Sequence, residues 1–579
     1  MQGVAVSDLL DHVVAAAGLT LFGAVPAPGR VGTAAPLALP GPGLADRITA
    51  LRADLRAQGL DRVVLVTTGA AAPAAAAIAR TLGLRLTVLD TADPHRAHAA
   101  LAGNLPRTVV VLAAASEPAG PAAETDAHRR AFHQAFEAAG LPDPTRHFVV
   151  VATPDSTPEP SAHPFVLTPD ESRSALPAPA LIAAGLAGAD VAELLAEASG
   201  LLAEPAPASP PAPLPTGFAP APPPPGFTPA PPPGLAPASP PGLAPAPPPG
   251  FPPGPPPARS TPGSPTGFPS AAPSASFTPG TAPPVASAHK SEISGLSDET
   301  GQANGPGVAL GAAIAAAVRE GRDKLAVAAD GTGIEGLGEW IEHVFAVAAP
   351  RVVPIILENP ASWGHAGPDV LSVTVGGALG RGVMPGGGIA PDLSVNGPLG
   401  AQLLAWAQAA RVAGTLLPPL PAPPAETPGE VPQTPTPTLV EGAIEVYGET
   451  TATTLIGAID ELAHGVPEGG CLAIAAHLDR DGDAAAAEVR DALAGRVARA
   501  VTFGWGPRAR LAGAVSLLQI TGAVTHDVRV PGRPYTFGEL QASAAAAERP
   551  GRGDDRPALR LHLTDRATGI EQLLAALGG

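Results

Sequence analysis

Short apolar runs alternate with stretches of helical periodicity along most of the chain. Strand-like runs rich in Val and Leu occupy 63–66, 86–89, 108–112 and 148–151. Between them, the segments 71–82, 94–102 and 122–139 read as helices. Apolar β-runs alternating with helices mean βαβ units, and hence a parallel sheet covered on both faces. A helix over 178–202 closes this first lobe. The alternation resumes beyond 304. Helices are expected at 308–319, 334–347 and 399–416, with strands at 325–328 and 352–356. Further strands are expected at 444–447, 471–475, 500–503, 515–520 and 559–563, with helices over 484–493 and at the C-terminus. The fold class predicted is α/β, with two lobes, each a parallel-rich sheet flanked by helices.

The pattern fails between the lobes. Pro224-Pro225-Gly226-Phe227, Pro232-Pro233-Gly234-Leu235, Pro240-Pro241-Gly242-Leu243 and Pro248-Pro249-Gly250-Phe251 repeat with glycine every eight residues. Collagen needs glycine every third residue, so this is a different repeat. Proline removes backbone donors and little here can form a core, so a disordered, extended tether is expected. A docking peptide for an aromatic groove is the other reading. The expected organisation is a first lobe with an N-terminal extension over 1–203, a proline-rich insert over 204–289, and a second lobe over 290–579.

Composition narrows the function classes. The net charge is −18, with no clustered Lys and Arg to displace the counterions of a nucleic acid. Aromatic residues make up 3%, too few for single-strand stacking platforms. Lysine occurs twice, as Lys290 and Lys324. Cys471 is the one cysteine, so no intrachain disulfide or thiolate metal site can form. It opens an apolar run and reads as a buried strand residue. The first ten residues lack a basic n-region, and no apolar run approaches the ~20 residues of a membrane span. The expectation is a cytoplasmic protein with neither nucleic-acid nor membrane partner, and with neither metal nor cofactor.

Individual motifs are weak. Asp479-Arg480-Asp481-Gly482-Asp483 begins like a calcium loop, but Arg490 stands where the bidentate acid belongs. An acidic helix N-cap is the better reading. Arg552-Gly553-Asp554 reads as a loop. The glycines of 376–388 do not follow the dinucleotide fingerprint. Loops at strand ends, where such sheets bind ligands, are Thr67-Thr68-Gly69-Ala70 and Ala115-Ser116-Glu117-Pro118-Ala119-Gly120. The second runs into a helix N-terminus, which suits a phosphate.

Longer segments carry a resemblance. Val501-Thr502-Phe503-Gly504-Trp505-Gly506-Pro507-Arg508, Leu518-Gln519-Ile520-Thr521-Gly522, Pro531-Gly532-Arg533-Pro534-Tyr535-Thr536-Phe537-Gly538 and Leu559-Arg560-Leu561-His562-Leu563-Thr564-Asp565 are its strongest part. Trp340-Ile341-Glu342, Ser394-Val395-Asn396-Gly397-Pro398-Leu399 and Gly188-Ala189-Asp190-Val191 extend it. With these the chain resembles glucose-6-phosphate isomerases of the actinobacterial type, and the isomerase half of transaldolase–isomerase fusions. The resemblance implies two sugar-isomerase (SIS) lobes and a dimer, either self-paired or mixed with an intact isomerase.

Departures fall where the family's chemistry lies. Its Gly-Gly-Ser-Ser loop is here Gly69-Ala70-Ala71-Ala72, and its Ser-Lys-Ser-Gly-Gly-Thr phosphate loop is Glu117-Pro118-Ala119-Gly120-Pro121-Ala122. The family's arginine falls on Ser172, with Arg173 one position on. Its base falls on Val347 and its acid on Ala407, and its lysine segment is missing from 509–517. The resemblance therefore implies an isomerase homologue degenerate at its active site, with a binding, regulatory or scaffolding role and no catalytic residue. The alternative is a divergent but active phosphosugar isomerase, for which Glu342, Arg351, Glu358 and Arg173 are the candidates. Gly69, Ser116, Gly120 and Arg173 are the candidate contacts to a sugar phosphate.

Overall fold

The computed structural model describes residues 20–23, 37–41, 43–113, 122–153, 161–202, 305–357, 367–377, 391–419, 436–497, 499–506, 515–548 and 557–578. The insert 204–289, Ser116, Gly120, Glu358, most of 376–388, the segment 509–514 and Arg552-Gly553-Asp554 lie outside the described residues.

Strand β1 (Thr20–Gly23) and helix α1 (Gly43–Ala57) come first. The first sheet and its helices follow as β2 (Arg62–Val66), α2 (Ala71–Leu82), β3 (Leu86–Leu89), α3 (Pro94–Leu101), β4 (Thr108–Ala113), α4 (Ala122–Ala138), β5 (Phe148–Ala152) and β6 (His163–Val166). The strand order is β3-β2-β4-β5-β6 with every pair parallel. β4 and β5 are buried along their whole length, as central parallel strands require, whereas β6 is mostly uncovered at the edge. The short α5 (Pro169–Ser172), then α6 (Ala178–Ala187) and α7 (Val191–Leu202), complete the segment.

Beyond the insert come α8 (Pro306–Arg319), β7 (Lys324–Ala329), α9 (Leu337–Ala348), β8 (Val353–Leu357), β9 (Val370–Gly376), β10 (Leu393–Asn396) and α10 (Leu399–Leu416). They build a middle sheet, β1-β10-β9-β7-β8, parallel except for β1. The last segment contains β11 (Leu439–Glu441), β12 (Ile444–Gly448), α11 (Leu455–His464), β13 (Cys471–His477), α12 (Val489–Ala494), β14 (Ala500–Trp505), β15 (Val515–Gly522), α13 (Phe537–Ala547), β16 (Ala558–Leu563) and α14 (Arg566–Gly578). Its sheet runs β11-β12-β16-β15-β13-β14, with the last four strands parallel. The α/β class with helix-flanked, parallel-rich sheets is thus what the sequence pattern predicts. The second lobe holds two sheets, and β1 from the N-terminal extension forms an edge of one of them.

Packing explains the arrangement. One core runs through α2, α9 and α10, with Ile78, Trp340, Phe345, Leu404 and Trp406 inside it, so the first and middle sheets share their helices. Alanine and glycine permit the close approach. A Cβ on Gly400 would stand 2.1 Å from the Leu194 carbonyl oxygen, and one on Gly414 would stand 1.8 Å from that of Ala348. Glu197 of α7 accepts the Gly400 N–H at 2.8 Å. The other face of the middle sheet meets the last sheet through small residues, including Ala326, Ala328, Ala473 and Ala475. Cys471 is buried in that layer, as expected.

Two local expectations change. The expected helix over 178–202 divides at Gly188, whose φ of +128° no helix accepts, and Asp190 caps the next helix by accepting the Glu193 N–H at 3.0 Å. The Asp483 carboxylate caps no helix, because Arg566 and the Asp479 N–H, both at 2.9 Å, occupy it.

Candidate functional site

Parallel strands leave their carboxyl ends free for loops, and here two sheets direct those ends toward one cleft. From β2 comes Gly69, and from β3 come Asp90 and Thr91. From β13 comes Arg480, and Phe503, Gly504 and Trp505 of β14 complete this side. Helix α9 adds Glu339, Glu342 and His343. The cleft measures about 790 Å³, within the range of small-molecule sites. Gly69 sits at φ +71°, a left-handed turn that favours glycine and brings the chain from β2 into α2.

The arginines in the wall are paired. Arg480 Nη1 is 2.9 Å from Glu339 Oε2, and Arg80 is 3.2 Å from the same carboxylate. Arg490 is buried; it pairs with Asp491 at 2.5 Å and donates to the Val501 carbonyl at 3.2 Å. Burial alone would lower the Arg480 pKa, but Glu339 and Asp90 outweigh it and raise it. Among the described residues, the buried Nε of Arg480 has no hydrogen-bond partner. Phe503 and Trp505 stand edge to face, with centroids 5.1 Å apart.

Asp90, Thr91, Arg480 and Trp505 also line an adjoining recess of about 20 Å³, room for roughly one water. Glu124, in the first turn of α4, lines it too. Burial, with Asp90 adding like charge, pushes its carboxyl up to about 7. One turn on, His128 is enclosed, meets the Thr91 carbonyl at 2.9 Å and is driven by burial down to about 4. His477 lines the recess from the end of β13. Its Nε2 lies 2.7 Å from Glu548 Oε2, and Gln519 donates to the same oxygen at 3.1 Å. The Glu548 carboxylate thus fixes the orientation of the imidazole ring. A carboxyl titrating near neutrality and a carboxylate-held imidazole give this end of the cleft the capacity for proton transfer.

Among the residues expected from sequence, Gly69 and Glu342 line the cleft. Arg173 does not; it is exposed behind α5 and donates to the Pro169 carbonyl at 3.0 Å. Arg351 is directed elsewhere, to the carbonyls of Pro418 at 2.6 Å and Pro419 at 3.3 Å. Val347 and Ala407, where the family's base and acid would fall, are respectively exposed on α9 and buried in α10. Sequence reasoning missed Arg480, His477, Glu548 and Trp505. A polar residue closing the apolar run of β13 was the available signal for His477. Glu548 is remote in sequence and gave none. Among the described residues no group of His, Cys, Asp and Glu is placed to hold a metal ion, and no helix is long and apolar enough to cross a membrane.

No protein-family model and no curated protein matches this chain. Among solved structures, it is similar to a glucose-6-phosphate isomerase from Chlamydia trachomatis D/UW-3/Cx at 13% identity and a TM-score of 0.40, covering 65% of this chain and 68% of that one. It is also similar to the hypothetical protein TT0462 from Thermus thermophilus at 13% identity and a TM-score of 0.37, covering 65% and 83%. At this similarity neither match bears on ligand or activity.

Proposed function

We propose that this chain is a glucose-6-phosphate-isomerase-like protein that binds a small polyhydroxylated ligand in the cleft without interconverting glucose 6-phosphate and fructose 6-phosphate. The observation that carries this reading is the commitment of the cleft's arginines. Arg480 and Arg490 each already face a carboxylate. Isomerisation needs a base beside the reacting carbons and donors for the phosphate. Val347 and Ala407 supply no base or acid. Loss of general acid–base catalysis alone lowers rates by about 10²–10⁴. A dimer, self-paired or with an intact isomerase, belongs to the same reading, as does a regulatory or scaffolding role.

One observation favours a second reading, a divergent active isomerase. Glu342 and His343 line the cleft, and the Glu124 carboxyl near 7 lines the recess beside it. A coupled assay on protein made in a host lacking its own isomerase separates the two. No turnover above background is expected. Turnover within about tenfold of an ordinary isomerase, a difference of only about 1.4 kcal/mol in barrier, overturns the non-catalytic reading.

A further inference from the structure

We infer that the cleft selects a hydroxyl-bearing amine, of the class of an unphosphorylated amino sugar, over a sugar phosphate. The inference rests on the reading that the cleft binds a small polyhydroxylated ligand, and it specifies the charge of that ligand.

The wall carries the carboxylates of Asp90, Glu339, Glu342, Glu488 and Asp491. Among the described residues it sets against these two guanidiniums, Arg480 and Arg490, with His343 as the remaining titratable group. Behind the wall Arg80 is held to Glu339 and Arg96 to Asp90, at 3.2 and 3.4 Å. All four arginines therefore face carboxylates already. A phosphate dianion would have to displace a carboxylate to gain a bidentate partner and would meet the others as like charges. A protonated amine gains from the same field.

One feature independent of the acidic wall specifies the rest of the ligand. The crossed rings of Phe503 and Trp505, 5.1 Å apart at 87°, give the cleft an aromatic wall. Such a face accepts either the C–H surface of a sugar or an ammonium group. In the adjoining recess burial first, and Asp90 as a like charge second, push the Glu124 carboxyl up to about 7.

The test is calorimetric titration of the full-length chain with glucosamine, glucose and glucose 6-phosphate in low salt at about pH 6.5, with Glu488→Gln beside the parent. Glu488 is exposed and has no described ion-pair partner, so this variant keeps the fold. Glucosamine is expected to bind about tenfold or more tighter than glucose, and glucose 6-phosphate more weakly than either. Glu488→Gln should weaken glucosamine several-fold and leave glucose unchanged. Added salt should erode the preference, because the attraction is screened. Glucose 6-phosphate binding as tightly as glucosamine, or glucosamine no better than glucose, overturns the inference while the binding reading stands. Failure of all three to bind overturns both.

Discussion

Arg480 Nη1 lies 2.9 Å from Glu339 Oε2, and this pair ties the loop after β13 to helix α9 in the wall of the cleft. Both side chains are largely shielded, at 16% and 27% exposure. Removing one partner of such a pair leaves the other charge short of compensation. Glu339→Gln should lower stability by about 1–3 kcal/mol in urea unfolding, less than a fully buried pair would show. It should also improve affinity for glucose 6-phosphate, because the guanidinium is released. Unchanged affinity would show that Arg480 does not face the ligand.

Glu124 makes stability fall toward alkaline pH. Its folded pKa, about 7, is above its ordinary 4.5, so between those values the native state holds a proton that the unfolded state has lost. The contribution is complete below the unfolded value and is lost as pH rises through the folded one. Glu124→Gln should match the parent near pH 4 and exceed it near pH 8 by up to about 3 kcal/mol. Denaturant melts across this window check it.

His128 acts in the opposite direction. Enclosed and lowered to about 4 from 6.5, it stays neutral in the native state while the unfolded chain takes up a proton. Stability is therefore lost as pH falls from about 6.5 through about 4. His128→Gln should flatten that acid limb of the stability curve, even if it lowers stability at neutral pH.

Asp126 accepts from Arg129, Arg130 and Arg533 at 2.6, 2.7 and 2.8 Å, which fastens α4 to the loop around Arg533. Burial would raise its pKa, but the three guanidiniums outweigh this and hold it near 2. Its stabilisation is present above its ordinary value and lost as pH falls toward 2. Arg533→Ala should lower stability modestly at neutral pH, since the pair is screened by solvent, and change little at about pH 2.

Gly414 tests the close approach of α10 to the end of α9. A methyl there would meet the backbone oxygen of Ala348 at 1.8 Å, which no side-chain rotation relieves. Gly414→Ala should destabilise by about 2–3 kcal/mol. Gly41→Ala, with nothing within 4 Å, should leave the melting temperature near that of the parent.

Where helix and strand periods were strong, the sequence pattern led directly to the fold. The helices 71–82 and 399–416 match α2 and α10 residue for residue. The strand Val370–Gly376 escaped because it runs into a glycine-rich stretch that hides its end. β6 escaped because it is four residues long, contains Pro164 and buries little. The site was less legible. Gly69 stood at a strand end and could be found, whereas Arg480 lay within an acidic run that spells a cap. Glu548 reaches His477 only through the packing of α13 on β15, a relation no local spacing encodes.

The helices on either side of the proline-rich insert share an interior: α7 ends shortly before it, α8 and α10 follow it, and Glu197 holds the Gly400 N–H across the join. A protease cut anywhere in 207–298 would therefore yield two polypeptides that behave as an obligate heterodimer. They would co-elute under native conditions, and each would aggregate when expressed alone.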